Sequence, residues 1–229
     1  MTAYPVQIVL ATQNRHKLNE ITAILCDLPV TLSSLYDFPE IGEIEETGST
    51  VEENALIKAT SIYALTGLPT FGDDTGLMVD ALDGRPGIYS ARYAGPEATY
   101  AQNNEKLLKA LKDVPELDRT ASFQCAIAFA CPKEMLDLIK MPRNEGYEVQ
   151  GYTTTDVRHS LTVLMRGEVN GTIITECRGM EGFGYDPLFY VHELEKTFAE
   201  LTLEQKNELS HRSKATRKFK RLLETCMKF

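Results

Sequence analysis

Asp73 and Asp74 stand side by side in LPTFGDDTGLMVDALDGRPGIYSARYAG, between a glycine and a Thr-Gly pair and just after the apolar residues Leu68 and Phe71. Adjacent like charges repel, so local stability does not explain the pair. Either both are solvated turn residues at the end of a strand, or a positive charge sits between them. Glu45, Glu46 and Glu53 add three more acids in EETGSTVEE, upstream of the pair. Hard divalent cations such as Mg2+ are held by one or two carboxylates together with substrate phosphates and water, which these acids could supply. Glu53 also reads as the acid of a helix cap, a purely structural role.

Two further stretches complete the chemistry. Thr12-Gln13-Asn14-Arg15-His16-Lys17 precedes residues at helical spacing. A helix N-terminus presents unpaired N–H groups and the positive end of a dipole, so it attracts anions. A hydroxyl, amides and an ammonium there make a phosphate cradle; the plainer reading is a cap at Thr12 or Asn14 and a solvated Lys17. Gly182-Phe183-Gly184-Tyr185-Asp186-Pro187 comes later, followed by Lys206 and Ser210-His211-Arg212. An aromatic flanked by glycines offers a face on which a base can stack. An acid and a forked guanidinium can read the edge of a heterocycle. The GFG run is no dinucleotide-binding loop, because Pro187 and an aromatic strand follow where a helix would have to open.

The elements that must position these groups are legible from spacing. Gln7–Ala11 reads as a buried strand, and Leu18, Ile21 and Leu25 give the helix after it. Val51–Thr66 reads as a second helix, with a capping box at Thr50 and Glu53 and a stop at Gly67. The aspartate stretch reads as strand, turn and strand. Glu97–Lys112 is helical, and Thr120–Cys131 alternates as a strand with one large-residue face. Leu161–Met165 and Thr172–Ile174 read as two strands joined by a hairpin turn at Asn170-Gly171. Residues 132–160 read as an excursion from the sheet. A capping box at Thr202 and Gln205 opens a helix through Leu209, and a basic helix with Phe219, Leu222 and Cys226 follows. Strands and helices alternate, interrupted by hairpins, which predicts an α/β fold with a mixed sheet.

Composition sets the outer limits. The 229 residues are 43% hydrophobic and 25% charged, with 33 acids against 24 bases and a net charge of −9. Such a balance argues against a nucleic-acid coat or an anionic membrane surface. At this length folding hides roughly 70% of the unfolded surface, enough for one large domain. Five cysteines without a C-x-x-C pair fit free thiols in a reducing cytoplasm. The N-terminus does not read as a signal peptide, and no apolar run reaches the roughly 20 residues that span a bilayer.

The chain resembles the inosine triphosphate pyrophosphatase family over nearly its whole length. The resemblance is carried by ATQNRHKLNE, EETGSTVEENALIKA, DDTGLMVDALDGRPGIYSARYAG, GFGYDPLFY and ELTLEQKNELSHR, in the family's order. It implies an α/β fold of two lobes around a long mixed β-sheet, with an active-site cleft between them, as one domain over residues 1–229 and as a homodimer. It implies hydrolysis of dITP, ITP and XTP to the monophosphate and pyrophosphate in the cytoplasm, with Mg2+. By motif position, Thr12, Gln13, Asn14, Arg15, His16 and Lys17 would bind the triphosphate, and Glu45 and Asp74 the metal. Asp74 would also be the catalytic base. Thr75 would contact substrate, and Phe183, Gly184, Tyr185 and Asp186 would hold base and sugar. Lys206, His211 and Arg212 would complete the pocket. Two departures stand out: Thr75 replaces the family's more frequent serine and keeps the hydroxyl, and the 132–160 segment is long. The competing readings are a Mg2+-dependent phosphatase that releases orthophosphate and a nucleotide-binding sensor without catalysis.

Overall fold

A parallel strand pair needs a crossover long enough to carry a helix, and the first part of the chain supplies two. The computed structural model describes residues 6–137, 147–153 and 159–226. In chain order its elements are β1 (Val6–Leu10), α1 (Arg15–Leu25), β2 (Val30–Ser34), α2 (Val51–Thr66), β3 (Thr70–Val79) and β4 (Pro86–Gly87). There follow α3 (Tyr100–Ala110), β5 (Thr120–Pro132), α4 (Lys133–Asp137), β6 (Tyr147–Thr153) and β7 (His159–Ile173). The chain closes with β8 (Phe189–Val191), β9 (Lys196–Thr197), α5 (Leu203–Leu209) and α6 (His211–Cys226). The strands pair in the order β2-β1-β3-β5-β7-β8-β9, with β4 on β3 and β6 on β7. β1 runs parallel to β2 and β3, whereas β4, β6, β8 and β9 pair antiparallel. The fold is thus α/β with a mixed sheet, as the alternation of elements predicts.

The described residues form two compact units, drawn from Met1–Asp74, Ala126–Arg166 and Lys214–Phe229 in one case and from Thr75–Cys125 and Gly167–Ser213 in the other. In the first unit Val9, Ala11, Leu35, Ile41 and Ile62 share one core cluster. Phe219 of α6 sits edge-on to both Phe71 and Phe129, with ring centroids 4.8 Å apart in each pair. The second unit is centred on Leu77, Leu107, Phe123, Phe189 and Phe198, with Phe123 and Phe189 centroids at 4.7 Å.

Several expectations from spacing change in the structure. The aspartate stretch is not strand, turn and strand: β3 is one continuous strand whose residues are buried almost throughout. Its glycines serve close approach instead of a turn. A Cβ on Gly72 would come within 2.4 Å of the Ala55 carbonyl oxygen and 2.8 Å of the Ala59 nitrogen. Asn170-Gly171 likewise forms no hairpin, because β7 runs straight through it. Gly171 faces β8 so closely that a Cβ would lie 2.4 Å from the Tyr190 carbonyl oxygen. Within residues 132–160, β6 is part of the sheet, paired with β7 in the register Val149↔Val163; residues 138–146 and 154–158 lie outside the described residues. The helix expected from Glu97 begins at Tyr100, where Thr99 and Gln102 close a capping box. At α2 the box is only half made. Thr50 Oγ1 accepts from the Glu53 N–H, but the Glu53 carboxylate turns to the N–H and hydroxyl of Ser49, at 2.6 and 2.7 Å.

Candidate active site

The first unit gathers one cluster of charge. Asn14 caps α1, its side-chain oxygen accepting from the N–H groups of His16 (3.0 Å) and Lys17 (3.2 Å), while Thr12 Oγ1 accepts from Asn14 N–H. The cap expected as the plainer reading is therefore present. The solvated lysine is not: Lys17 forms an ion pair with Asp73, whose side chain is only 1% exposed. Arg15, His16 and Lys17 fill the first turn of α1, where no acid is found. Cations at the positive end of a helix dipole are unfavourable there, and an anion relieves the arrangement, as Asp73 does for Lys17. Gln13, Arg15 and His16 are exposed.

Asp74, the next residue along β3, points the other way. Its Oδ1 accepts from Lys58 Nζ of α2 at 2.8 Å, and Lys58 also reaches Glu46 Oε1 at 2.9 Å. Asp74 Oδ2 is buried and has no hydrogen-bond partner among the described residues. Burial pushes the Asp74 carboxyl above the usual carboxylate value, and the ammonium groups of Lys58 and Lys17 offset this only in part. Burial would pull the Lys58 ammonium down, but the carboxylates of Asp74, Glu46 and Asp73 outweigh it and hold the lysine charged. Glu45 is exposed, and its neighbour Glu46 is the one drawn to Lys58.

Lys58 is the functional candidate that sequence reasoning overlooked. It falls on the stripe Val51, Ala55, Lys58 and Ile62, a lone charge on the apolar face of α2, and that mismatch was the available signal.

The second unit gathers a cluster of a different kind. Thr75 Oγ1 accepts from the Arg212 guanidinium at 2.9 Å, and Arg212 is only 1% exposed. The guanidinium lies 5.6 Å from the Phe183 ring centroid, and Lys206 Nζ lies 4.9 Å from it. Gly182 (φ 75°) and Gly184 (φ 62°) turn the chain through the left-handed region around Phe183. Asp186 Oδ2 anchors this turn by accepting from Phe183 N–H (2.8 Å) and Lys206 Nζ (2.6 Å), and a Cβ on Gly182 would strike it at 2.1 Å. Phe183, Lys206, Asp186, Arg212 and Thr75 thus come together. Tyr185 and His211 are packed inward. The Tyr185 hydroxyl donates to the Ser90 carbonyl at 2.9 Å, and burial pushes its pKa up. The His211 ring stacks on Phe123 at 4.7 Å. The Gly184 carbonyl accepts from Asn104 Nδ2.

The Ham1 family model matches residues 8–222, and the chain belongs to this family. A dITP/XTP pyrophosphatase of Geobacter sulfurreducens is 48% identical over 209 residues, 91% of this chain and 92% of that protein. One from Halalkalibacterium halodurans is 44% identical over 216 residues, 94% of this chain and 98% of the other. Among solved structures, the Ham1 protein of Staphylococcus aureus superimposes with a TM-score of 0.75 at 36% identity, covering 95% of this chain and 98% of its own. A HAM1 protein from Coxiella burnetii gives 0.76 at 38% identity, covering 96% and 98%.

Proposed function

We propose that this protein hydrolyses non-standard purine nucleoside triphosphates (dITP, ITP and XTP) to the nucleoside monophosphate and pyrophosphate, and so removes them from the nucleotide pool. The observation that carries the reading is Asp74: a buried carboxyl with one oxygen fixed by Lys58 and the other unpartnered among the described residues. In this reading Asp74 takes the proton of the attacking water, and a weak base suffices because a bound cation would acidify that water. Lys17 holds phosphate oxygens at the N-terminus of α1, aided by Thr12, Gln13, Arg15 and His16. Phe183 stacks on the purine, and Arg212 donates to its position-6 carbonyl.

The donor set suits Mg2+. Among the described residues no three His, Cys, Asp or Glu side chains group closely enough to hold a metal alone. A cation that takes one or two carboxylates and completes its shell from phosphates and water fits such a site, with Asp74 Oδ2 and Glu45 as the protein ligands. When bound, Mg2+ neutralises phosphate charge and acidifies bound water. The same proposal takes the chain as one two-lobed domain over residues 1–229, a homodimer, acting in the cytoplasm on free nucleotides.

The deciding experiment is a panel of nucleoside triphosphates with Mg2+, scored for pyrophosphate and orthophosphate. Pyrophosphate from ITP, dITP and XTP well above ATP and GTP is the expected result. Orthophosphate instead would make the protein a phosphatase, and binding without turnover would make it a sensor.

A further inference from the structure

Tyr100 opens α3 with 43% of its surface exposed, yet its ring is not isolated. Its centroid lies 6.0 Å from that of Phe183, with the two planes inclined by 48°. One helical turn further, on the same face of α3, Asn104 Nδ2 donates to the Gly184 carbonyl at 3.1 Å. So two residues of α3, four apart, touch the glycine-flanked turn that presents Phe183. Rings this close and this inclined admit no third ring between them; they form a corner instead. Phe183 is held from elsewhere by Lys206 and Arg212, 4.9 and 5.6 Å from its centroid, so its ring is fixed while Tyr100 stays accessible.

We propose that Tyr100 is a second base-contact residue: a purine stacked on Phe183 is bordered by the Tyr100 ring, and Asn104 sets the turn against α3 so that the corner keeps its angle. This rests on the purine nucleotide reading above. A π face does not distinguish carbonyl from amino substituents. Tyr100 therefore adds affinity shared by hypoxanthine, xanthine and adenine, and leaves the choice among them to hydrogen-bonding groups. The contact is made by the ring, so the hydroxyl is dispensable.

Calorimetry on the full chain with Mg2+ tests this with two probes, inosine monophosphate, which carries the base, and inorganic tripolyphosphate, which lacks it. Tyr100→Ala is expected to weaken inosine monophosphate about fivefold, near the low end for base–aromatic stacking, and to leave tripolyphosphate unchanged. Tyr100→Phe should bind both probes as the wild type does. In turnover, KM for ITP and for ATP should rise by the same factor with kcat preserved. An unchanged monophosphate affinity in Tyr100→Ala, an equal loss of tripolyphosphate, or a defect in Tyr100→Phe would each overturn the assignment, as would a wild type that binds no inosine monophosphate. Because binding is read without turnover, a wild type that binds the monophosphate but releases no pyrophosphate would refute the proposed reaction and still leave Tyr100 decided.

Discussion

Replacing Lys58 by methionine should cost the fold several kcal/mol at neutral pH and little in acid. Methionine keeps the length and the apolar stem of lysine and removes only the ammonium, so packing is largely retained. That ammonium lies 2.8 Å from Asp74 and 2.9 Å from Glu46, with the lysine side chain 11% exposed. At an effective dielectric near 20, each contact is worth about 6 kcal/mol before desolvation, which takes back most of it. Removing one partner of a buried pair typically costs about 3–5 kcal/mol, because the other charge stays buried and uncompensated. The sign with pH follows from Asp74. Burial already raises its carboxyl, and without Lys58 it rises further. A carboxyl whose folded pKa exceeds its unfolded value leaves stability intact below the unfolded value and erodes it as pH climbs through the folded one. Urea unfolding of both proteins from pH 4.5 to 7.5 measures this: the gap between them should be smallest at the acid end and widen to about 3 kcal/mol or more near pH 7. A gap that stays constant with pH would mean that Lys58 contributes by packing and that its charge is irrelevant.

Four more outcomes follow from the same geometry. Asp74→Asn should lower kcat by about a hundredfold or more at saturating Mg2+, the scale of a lost general base, whereas near-normal turnover would remove Asp74 from the chemistry. In the wild type, the acid limb of kcat/KM at limiting Mg2+ should lie above the usual aspartate value, because burial raises this carboxyl, and should move to lower pH as Mg2+ competes with the proton. Arg212→Ala should lower kcat/KM for ITP by about ten- to a hundredfold, the worth of a hydrogen bond to a charged group, and for ATP much less; equal losses would make Arg212 a support for Thr75 and Phe183 alone. Gly72→Ala should destabilise by about 1–3 kcal/mol in thermal or urea unfolding, since its Cβ would meet the Ala55 and Ala59 backbone, and an unchanged midpoint would show that α2 can retreat.

What the sequence made legible was mostly local. The bounds of α2 were readable because Thr50 and Gly67 mark both ends by side-chain capping and a left-handed φ of 69°. Phe183 stood out because glycines flank it on both sides, and both glycines take positive φ in the structure. Misread features share a cause: Gly72-Asp73-Asp74-Thr75-Gly76 and Asn170-Gly171 carry local turn chemistry, and long strands override it. Gly72 answers to α2 and Gly171 to β8, contacts that local turn chemistry does not contain. The same limit explains the acids. Glu45 and Glu46 look equivalent in EETG, but only contact with Lys58 separates them, and Lys58 is 12 residues from Glu46 and 16 from Asp74. Tyr185 and His211 were placed by motif position alone; the contacts that hold them, the Tyr185 hydroxyl on the Ser90 carbonyl and the His211 ring on Phe123, are long-range and have no local signal.

The adjacency of Asp73 and Asp74 has its reason in the pleat of β3. Consecutive strand residues point to opposite faces. Asp73 meets Lys17 of α1, while Asp74 meets Lys58 of α2, and Gly72, two residues before Asp74, packs on α2 as the alternation requires. Each carboxylate thus pairs with a lysine from a different helix, and Lys17 also acts on Asp74 and Asp73 on Lys58, so the two charges are offset from both faces. A turn could not do this, because it would leave both acids in water, where a neighbouring lysine contributes little. Placing them mid-strand costs desolvation, visible in the raised carboxyl of Asp74. In return it fixes an ammonium group on either side of β3 and leaves Asp74 Oδ2 without a hydrogen-bond partner among the described residues, the positioning that the proposed phosphate chemistry would use.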